Sequence, residues 1–183
     1  MDQIQLLDEL AEVAAENTAR IAELARPLSE WQLHWRPPQG GWGIADVLEH
    51  LCISDDGYLA RLRSTIPEGE RPPVRADWSP RLAGRLLTNA MRAPRKLPAP
   101  KAFRPPAAAR AGVLDAYLAR AGELAALIER SRGVELRRIG VSSPVFALIR
   151  MNAGDVLSIL TWHARRHLGQ MDRVRAHAEF PAS

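Results

Sequence analysis

The sequence predicts an all-α protein built as a four-helix bundle. Four long segments carry apolar residues at the three- and four-residue spacing of an amphipathic helix. Proline, glycine or capping residues bound these segments, and little of the chain alternates as a strand does. With 183 residues, 46% of them hydrophobic, the chain is expected to form one helical domain over residues 1–183.

The first long helix is predicted over residues 2–26. Its buried stripe runs at helical spacing until Pro27 stops the helix. The stripe consists of Ile4, Leu7, Ala11, Ala14, Thr18, Ile21 and Ala25. Ser29 then begins a short helical turn, in which Gln32 completes a capping box.

The second long helix is predicted from Ile44 to Ser64. A connection rich in Pro and Arg follows over residues 65–107, and a short helix is expected within it from Leu82 to Met91. A connection of this length can carry the chain back along a bundle. The second and third long helices could therefore run parallel.

The third long helix is predicted over residues 108–131 and ends before Gly133. Residues 134–151 contain turn signals and β-branched residues, which favour a brief extended piece. The last helix is expected to begin near Asn152, a good capping residue, and to run to about His177.

The basic residues concentrate in the middle of the chain. Residues 61–110 carry 12 basic and 3 acidic side chains, whereas residues 1–60 carry 3 basic and 11 acidic ones. Such a segment could bind nucleic acid or an anionic ligand. No nucleic-acid motif accompanies it, so a solvated surface is the favoured interpretation and nucleic-acid binding is not expected.

The composition favours a cytoplasmic protein. Cys52 is the only cysteine, which excludes an internal disulfide and fits a reducing compartment. No apolar run approaches the roughly 20 residues that cross a bilayer, and the N-terminus lacks the features of a secretory signal. No membrane association is expected.

Two histidines interrupt the apolar stripe of the last helix. His163 and His167 lie four residues apart, so their side chains share one helix face with Leu160 and Met171. A neutral imidazole among apolar residues needs partners for its ring nitrogens. One metal ion could satisfy both rings, but two hydrogen-bonded core histidines would give the same pattern.

His50 is the candidate third ligand. It lies about seven residues into the second long helix, and His167 lies nine or ten residues before the end of the last one. If the two helices are antiparallel, the two side chains differ in height by only ~3–5 Å. His177 is roughly 21 Å from His163 along the helix, and His34 is interpreted as a packed or exposed residue of the short turn.

The sequence resembles the DinB-like superfamily, a family of metal-binding helical proteins. The resemblance rests on Trp42 at the start of the second helix, the His50-Leu51 pair, Ser143-Pro144, and the H-x-x-x-H-x-x-Q block that ends at Gln170. It implies an up-down-down-up bundle and a divalent metal ion bound by His50, His163 and His167. The sequence departs from the family at Gly43, where a serine is common, and this predicts a slightly weaker helix cap.

The resemblance also implies a chemistry. Relatives include bacillithiol transferases and mycothiol-dependent isomerases, in which a metal ion holds the thiolate of a small cofactor for attack on an electrophilic substrate. Histidine nitrogens suit Zn, Ni, Fe or Co, and the sequence does not choose among them. A homodimer is implied by the resemblance alone, and a metal-binding stress or sensor protein without catalysis remains the alternative.

Several other residues could act near the site. Asp46 could support His50, although a first-turn acid that interacts with the helix dipole is favoured. Gln170 could touch His167, whereas Glu49 points away from His50 and Cys52 is interpreted as a core residue. Arg85 and Arg92 could bind a cofactor carboxylate.

The tryptophans allow two interpretations. Trp31, Trp35, Trp42 and Trp78 could line a pocket or pack in the core. Packing is favoured for Trp31 and Trp42.

Overall fold

The computed structural model describes residues 1–93, 98–146 and 148–182. Residues 94–97 of the predicted basic connection and residue 147 of the predicted extended piece lie outside them. The described helices are α1 (Gln3–Ala25), α2 (Glu30–His34), α3 (Ile44–Thr65), α4 (Leu82–Arg92), α5 (Val113–Arg130) and α6 (Ala153–Arg175). Two short strands, β1 (Gly140–Ser142) and β2 (Arg150–Asn152), pair antiparallel, which confirms the brief extended piece.

The long helices α1, α3, α5 and α6 form a four-helix bundle in which α3 packs against both α5 and α6. Helices α3 and α5 run parallel, because Arg110 reaches Glu49 near their starts and Arg130 donates to the carbonyl of Ile66 near their ends. Helices α1 and α6 begin at the same end, where Trp78 bonds to Met1 and to Asn152.

Helices α3 and α6 are antiparallel, since His50 near the start of α3 meets the second half of α6. Asp8, near the start of α1, pairs with Arg132, just after α5, so α1 and α5 are also antiparallel. The up-down-down-up topology predicted from the sequence is confirmed.

Two apolar clusters fill the interior of the bundle. Large residues with no more than 1% exposure include Leu7, Leu10, Leu62, Ile128 and Leu157 in one cluster. The equally buried large residues of the second cluster include Ile21, Ile44, Leu48, Leu51 and Met171. The histidine pair of α6 lies between Leu160 of the first cluster and Met171 of the second.

Gly43, at the start of α3, is required by a close backbone approach. A Cβ atom there would lie 2.2 Å from the carbonyl oxygen of Trp35, so a serine would not fit without a shift of the chain. Asp46 accepts a hydrogen bond of 2.9 Å from the Gly43 N–H and satisfies this helix end. Glycine at this position therefore allows α3 to contact the preceding turn closely, but it supplies no side-chain hydroxyl to cap the helix.

The long connection covers two sides of the bundle. Helix α4 packs against α6, and Gly84 allows the approach because a Cβ atom there would lie 2.1 Å from Cγ of Asp155. Residues 98–112 then pass over the first half of α3, where Phe103 and Arg110 contact it. In the described part of the chain, no helix combines the length and apolar character needed to span a membrane.

Candidate metal centre

The three predicted histidines come together between α3 and α6. The Nε2 atom of His163 lies 3.1 Å from Nε2 of His50 and 3.0 Å from Nε2 of His167. One ligand nitrogen from each ring lies within 4.8 Å of the others, and this is the one such His, Cys, Asp and Glu group found among the described residues. His50 and His167 are buried, and His163 is partly exposed.

Hydrogen bonds orient two of the rings. Nδ1 of His50 lies 2.6 Å from the carbonyl oxygen of Phe103, and Nδ1 of His167 lies 2.9 Å from Oε1 of Gln170. A carbonyl oxygen can only accept, so each Nδ1 carries the proton and donates it. The Nε2 atoms of both neutral rings are therefore left with lone pairs directed at His163.

This arrangement fits a metal ion better than a set of hydrogen bonds. When His163 is neutral, its Nε2 atom carries at most one proton and can donate it to only one of the two neighbouring Nε2 atoms. At least one Nε2 lone pair of His50 or His167 therefore has no hydrogen-bond donor. A metal ion takes a lone pair from all three rings. Nitrogens about 2.0–2.1 Å from a tetrahedral ion lie ~3.3 Å apart, close to the two distances of 3.1 and 3.0 Å from Nε2 of His163.

The protein keeps all three imidazoles neutral. Burial lowers the pKa of His167 to about 3, with a further contribution from His50. Burial is also the main cause that lowers the pKa of His50 and brings that of His163 well below its ordinary value. Neutral imidazole is the form that binds metal.

Trp42 packs directly on the histidines. Its ring centroid lies 4.9 Å from that of His50 and 6.4 Å from that of His167. It therefore packs against the site and also lines the adjacent cavity. For Trp31 the packing interpretation is wrong: this side chain is 64% exposed, because it lies on the outer face of the one-and-a-half-turn helix α2.

Ion pairs hold the segment that carries Phe103 against α3. Arg110 binds the buried carboxylate of Glu49 through one guanidinium edge, in which Nε and Nη2 donate to the two carboxylate oxygens at 2.8 and 2.6 Å. Arg36 binds Asp46 at 2.6 Å and donates to the carbonyl of Ala107 at 2.7 Å. These contacts hold the chain against α3 at residues 107 and 110, a few residues after the carbonyl that orients His50.

Most of the other predicted residues take the roles expected of them. Asp46 acts at the helix start, bound to Gly43 and Arg36, in agreement with the favoured interpretation. Gln170 touches His167, and Glu49 points to Arg110. Cys52 is fully buried, and burial raises the pKa of its thiol to about 11.

The remaining histidines lie outside the cluster. His34 pairs with Glu30 in its own helix, and Nε2 of His177 lies 3.2 Å from the side-chain oxygen of Gln39. Arg92 stands over the Trp162 ring, 4.0 Å from its centroid. Arg85 is exposed and does not line the cavity described next.

A cavity of about 1000 Å³ opens beside the three histidines. Its walls come from α3, α4, α6, the segment before α5 and the loop between β1 and β2. The lining is largely apolar and includes Leu87, Met91, Phe103, Val145, Ile149 and Ile159. A small molecule can therefore reach the side of the cluster without unfolding the bundle.

The family follows from a match over most of the chain. The model of the DinB superfamily matches residues 13–171. The chain belongs to the DinB superfamily. Comparison with curated proteins finds no match.

A solved structure shows the same fold. YfiT from Bacillus subtilis is described as a probable metal-dependent hydrolase with an unusual four-helix bundle topology. It is 18% identical, with a TM-score of 0.56, over 92% of this chain and 85% of its own. This likeness supports the bundle architecture.

Sequence patterns could not identify every part of the site. The carbonyl of Phe103 is a backbone group 53 residues from His50, and no side-chain pattern marks it. Arg110 lies in the basic 61–110 segment, for which a solvated surface was the favoured interpretation and an external ligand the alternative. Arg63, Arg92 and Arg110 of this segment instead pair with glutamates of the bundle.

Proposed function

We propose that His50, His163 and His167 bind one divalent metal ion, and that the protein is an enzyme that activates a small thiol for attack on an electrophilic substrate. The observation that carries this proposal is the convergence of one ring nitrogen from each of three histidines within 4.8 Å, beside a cavity of about 1000 Å³. Three protein ligands facing a cavity are typical of a catalytic site, because a purely structural site is usually closed by four.

The metal would be Zn²⁺, Ni²⁺ or Fe²⁺, all of which accept imidazole nitrogens. When bound, it would lower the pKa of a coordinated thiol so that the thiol reacts as a thiolate. The residues of the chain would orient the metal ligands and exclude water. Phe103 and Gln170 hold the imidazoles in one tautomer, and Trp42 with the apolar walls keeps bulk water from the reacting groups.

The lining of the cavity favours a thiol over water as the nucleophile. No Asp or Glu lines it among the residues that the structure describes. An attacking metal-bound water would release two protons over the reaction, and a carboxylate often accepts one of them. A thiol has one proton to lose and an ordinary pKa of about 8.5, so a metal-bound thiol would release that proton to solvent near neutral pH without a protein base.

Hydrolysis is the second candidate. It is favoured by YfiT, which has the same fold and is described as a probable metal-dependent hydrolase. Both reactions would use the same three histidines and the same cavity. They differ in whether turnover of an electrophile depends on added thiol.

Cobalt substitution tests the proposal. Purified protein should contain near one metal ion per chain, and the cobalt form should gain a thiolate-to-metal absorption band when a small thiol is added. Turnover of an electrophilic substrate should then require the thiol.

Each other result has a definite meaning. Turnover without thiol would favour hydrolysis, and metal binding without turnover or a thiol band would favour a stress or sensor protein. Protein that holds no metal and takes up none would contradict the whole proposal.

A further inference from the structure

The wall of the cavity carries basic side chains. Four arginines line it, and no acidic side chain does so within the described ranges. These arginines are Arg92, Arg165, Arg166 and Arg173. An anion entering the cavity therefore meets arginines of both α4 and α6.

Three of the four arginines already have partners within the protein. Arg92 pairs with Glu9 at 2.9 Å, and Arg165 binds Glu16 through two nitrogens. Arg166 donates to the carbonyl of Ala93 at 2.6 Å. These contacts hold the three guanidinium groups in place, and the two carboxylates offset the charge of Arg92 and Arg165.

Arg173 is different. Among the described residues no hydrogen bond or ion pair engages its guanidinium, and its side chain is exposed where the cavity meets solvent. It lies six residues after His167, a rise of about 9 Å along α6. One of its terminal nitrogens reaches back over Gly169 and would lie 3.7 Å from a Cβ atom at that position.

Gly169 keeps this stretch of the wall open. It lies between Arg166 and Arg173 on one face of α6, at a spacing of three and four residues. Because the glycine has no side chain, a ligand can lie along the helix between Gln170 and the guanidinium of Arg173. The planar guanidinium matches a carboxylate in shape and can bind both of its oxygens.

We propose that the cavity binds an organic carboxylic acid with an apolar body, whose carboxylate is held by Arg173 and whose other end faces the three histidines. The inference deepens the proposed function, on which it rests, by assigning a class to the molecule that the cavity receives. Leu87, Met91 and Ile149 of the opposite walls contact the apolar body. A neutral ligand of the same shape lacks the contact with Arg173.

The test uses protein stripped of metal, so that a carboxylate cannot bind through the ion. Binding of 4-phenylbutyrate and of its neutral amide is measured by titration calorimetry at low ionic strength. We expect the acid to bind about five- to tenfold more tightly than the amide, and added salt to reduce the difference. Arg173→Gln should abolish the preference without changing the affinity for the amide.

Arg175→Gln is the matched control. Arg175 lies on the same helix, packs over Phe180 and does not line the cavity, so its loss should leave the preference intact. Equal affinity for acid and amide, no binding of the acid at millimolar concentration, or an unchanged preference in Arg173→Gln would each overturn the inference.

Metal content of each protein before stripping, and its metal uptake afterwards, separate this inference from the proposed function. If metal binds normally but the acid is not preferred, the carboxylate assignment fails and the metal site stands. If the acid is preferred by protein that never takes up metal, the proposed enzyme chemistry fails and the carboxylate assignment stands.

Discussion

The bundle contains two clusters of buried polar side chains that differ in what they can bind. The histidine cluster consists of His50, His163 and His167 and lies beside a cavity of about 1000 Å³. The central polar cluster consists of Asn17, Asp55, Tyr117 and Thr161 and surrounds a cavity of about 10 Å³. The second cavity has room for at most about one water molecule.

Burial removes charge in both clusters, with opposite consequences. It lowers the pKa of each histidine, and a neutral imidazole offers a lone pair to a metal ion. Burial raises the pKa of Asp55 to about 8, and in a neutral carboxyl group one of the two oxygens carries a proton. Burial of titratable groups is therefore not enough to make a site. The groups must keep free lone pairs that converge where a ligand has access.

The largest effect should follow loss of one histidine. His163→Ala removes one of three ligands, which should weaken metal affinity by about 3 kcal/mol, or more than a hundredfold. Elemental analysis after dialysis should find little metal in the variant, whereas circular dichroism should show an unchanged helical content. His177→Ala is the control, since that residue bonds to Gln39 outside the cluster. Equal metal content in wild type and His163→Ala would refute the assignment.

Asp55→Asn should change the pH dependence of stability. The pKa of Asp55 is raised from 3.8 to about 8, so its burial destabilises the fold progressively as pH rises from about 4 to about 8. The variant cannot ionise and should be more stable than wild type at pH 8.5 by on the order of 3 kcal/mol, with little difference near pH 4.

Urea unfolding at the two pH values measures this difference. Asp56→Asn is the matched control, because Asp56 is exposed and pairs with Arg120 at 2.7 Å. Asp56→Asn should not raise the free energy of unfolding at pH 8.5. A gain for Asp55→Asn of the same size at both pH values would mean that ionisation is not the cause.

Gln170→Leu tests the orientation of His167. It removes the acceptor 2.9 Å from Nδ1, which fixes the tautomer that presents Nε2. Loss of such an outer partner typically weakens a metal site about tenfold, and competition with a chromogenic chelator can measure this. Gln39→Leu removes the equivalent contact to His177 and should have no effect. If both variants bind metal equally well, Gln170 does not position the ligand.

The smallest effect is expected in the central polar cluster. The hydroxyl of Thr161 is buried and has no hydrogen-bond partner among the described residues. Thr161→Val removes that unmet polar group and should raise the free energy of unfolding by up to about 1 kcal/mol. Metal affinity should not change. A loss of more than 1 kcal/mol in thermal or urea unfolding would indicate that the hydroxyl binds a buried water molecule.

The sequence predicted the helices well because their signals are local. Pro27, Asn152 and Asp155 mark helix ends through their own backbone chemistry, and the observed bounds of α1 and α6 follow them within a few residues. The face of His163 and His167 was also predictable, since helix geometry sets the direction of residues four apart. The prediction of His50 as third ligand also depended on the family resemblance, because the position of a residue along its helix does not show which helices are neighbours.

Other features depended on contacts between distant segments. The exposure of Trp31 follows from how α2 lies on the surface, and the need for glycine at position 43 follows from the path of Trp35. Neither has a local signature in the sequence. The ion pair between Arg110 and Glu49 joins residues 61 positions apart.

By itself, the sequence determined the four amphipathic helices, their order and the pair of histidines on one face of α6, because periodicity and capping act over a few residues. The tertiary structure decided which groups complete the site. It brought His50 to the pair, directed the Phe103 carbonyl onto it, and placed Arg173 at the mouth of a cavity that has no acidic lining among the described residues. These placements depend on how α3, α4 and α6 pack together, which short-range patterns do not encode.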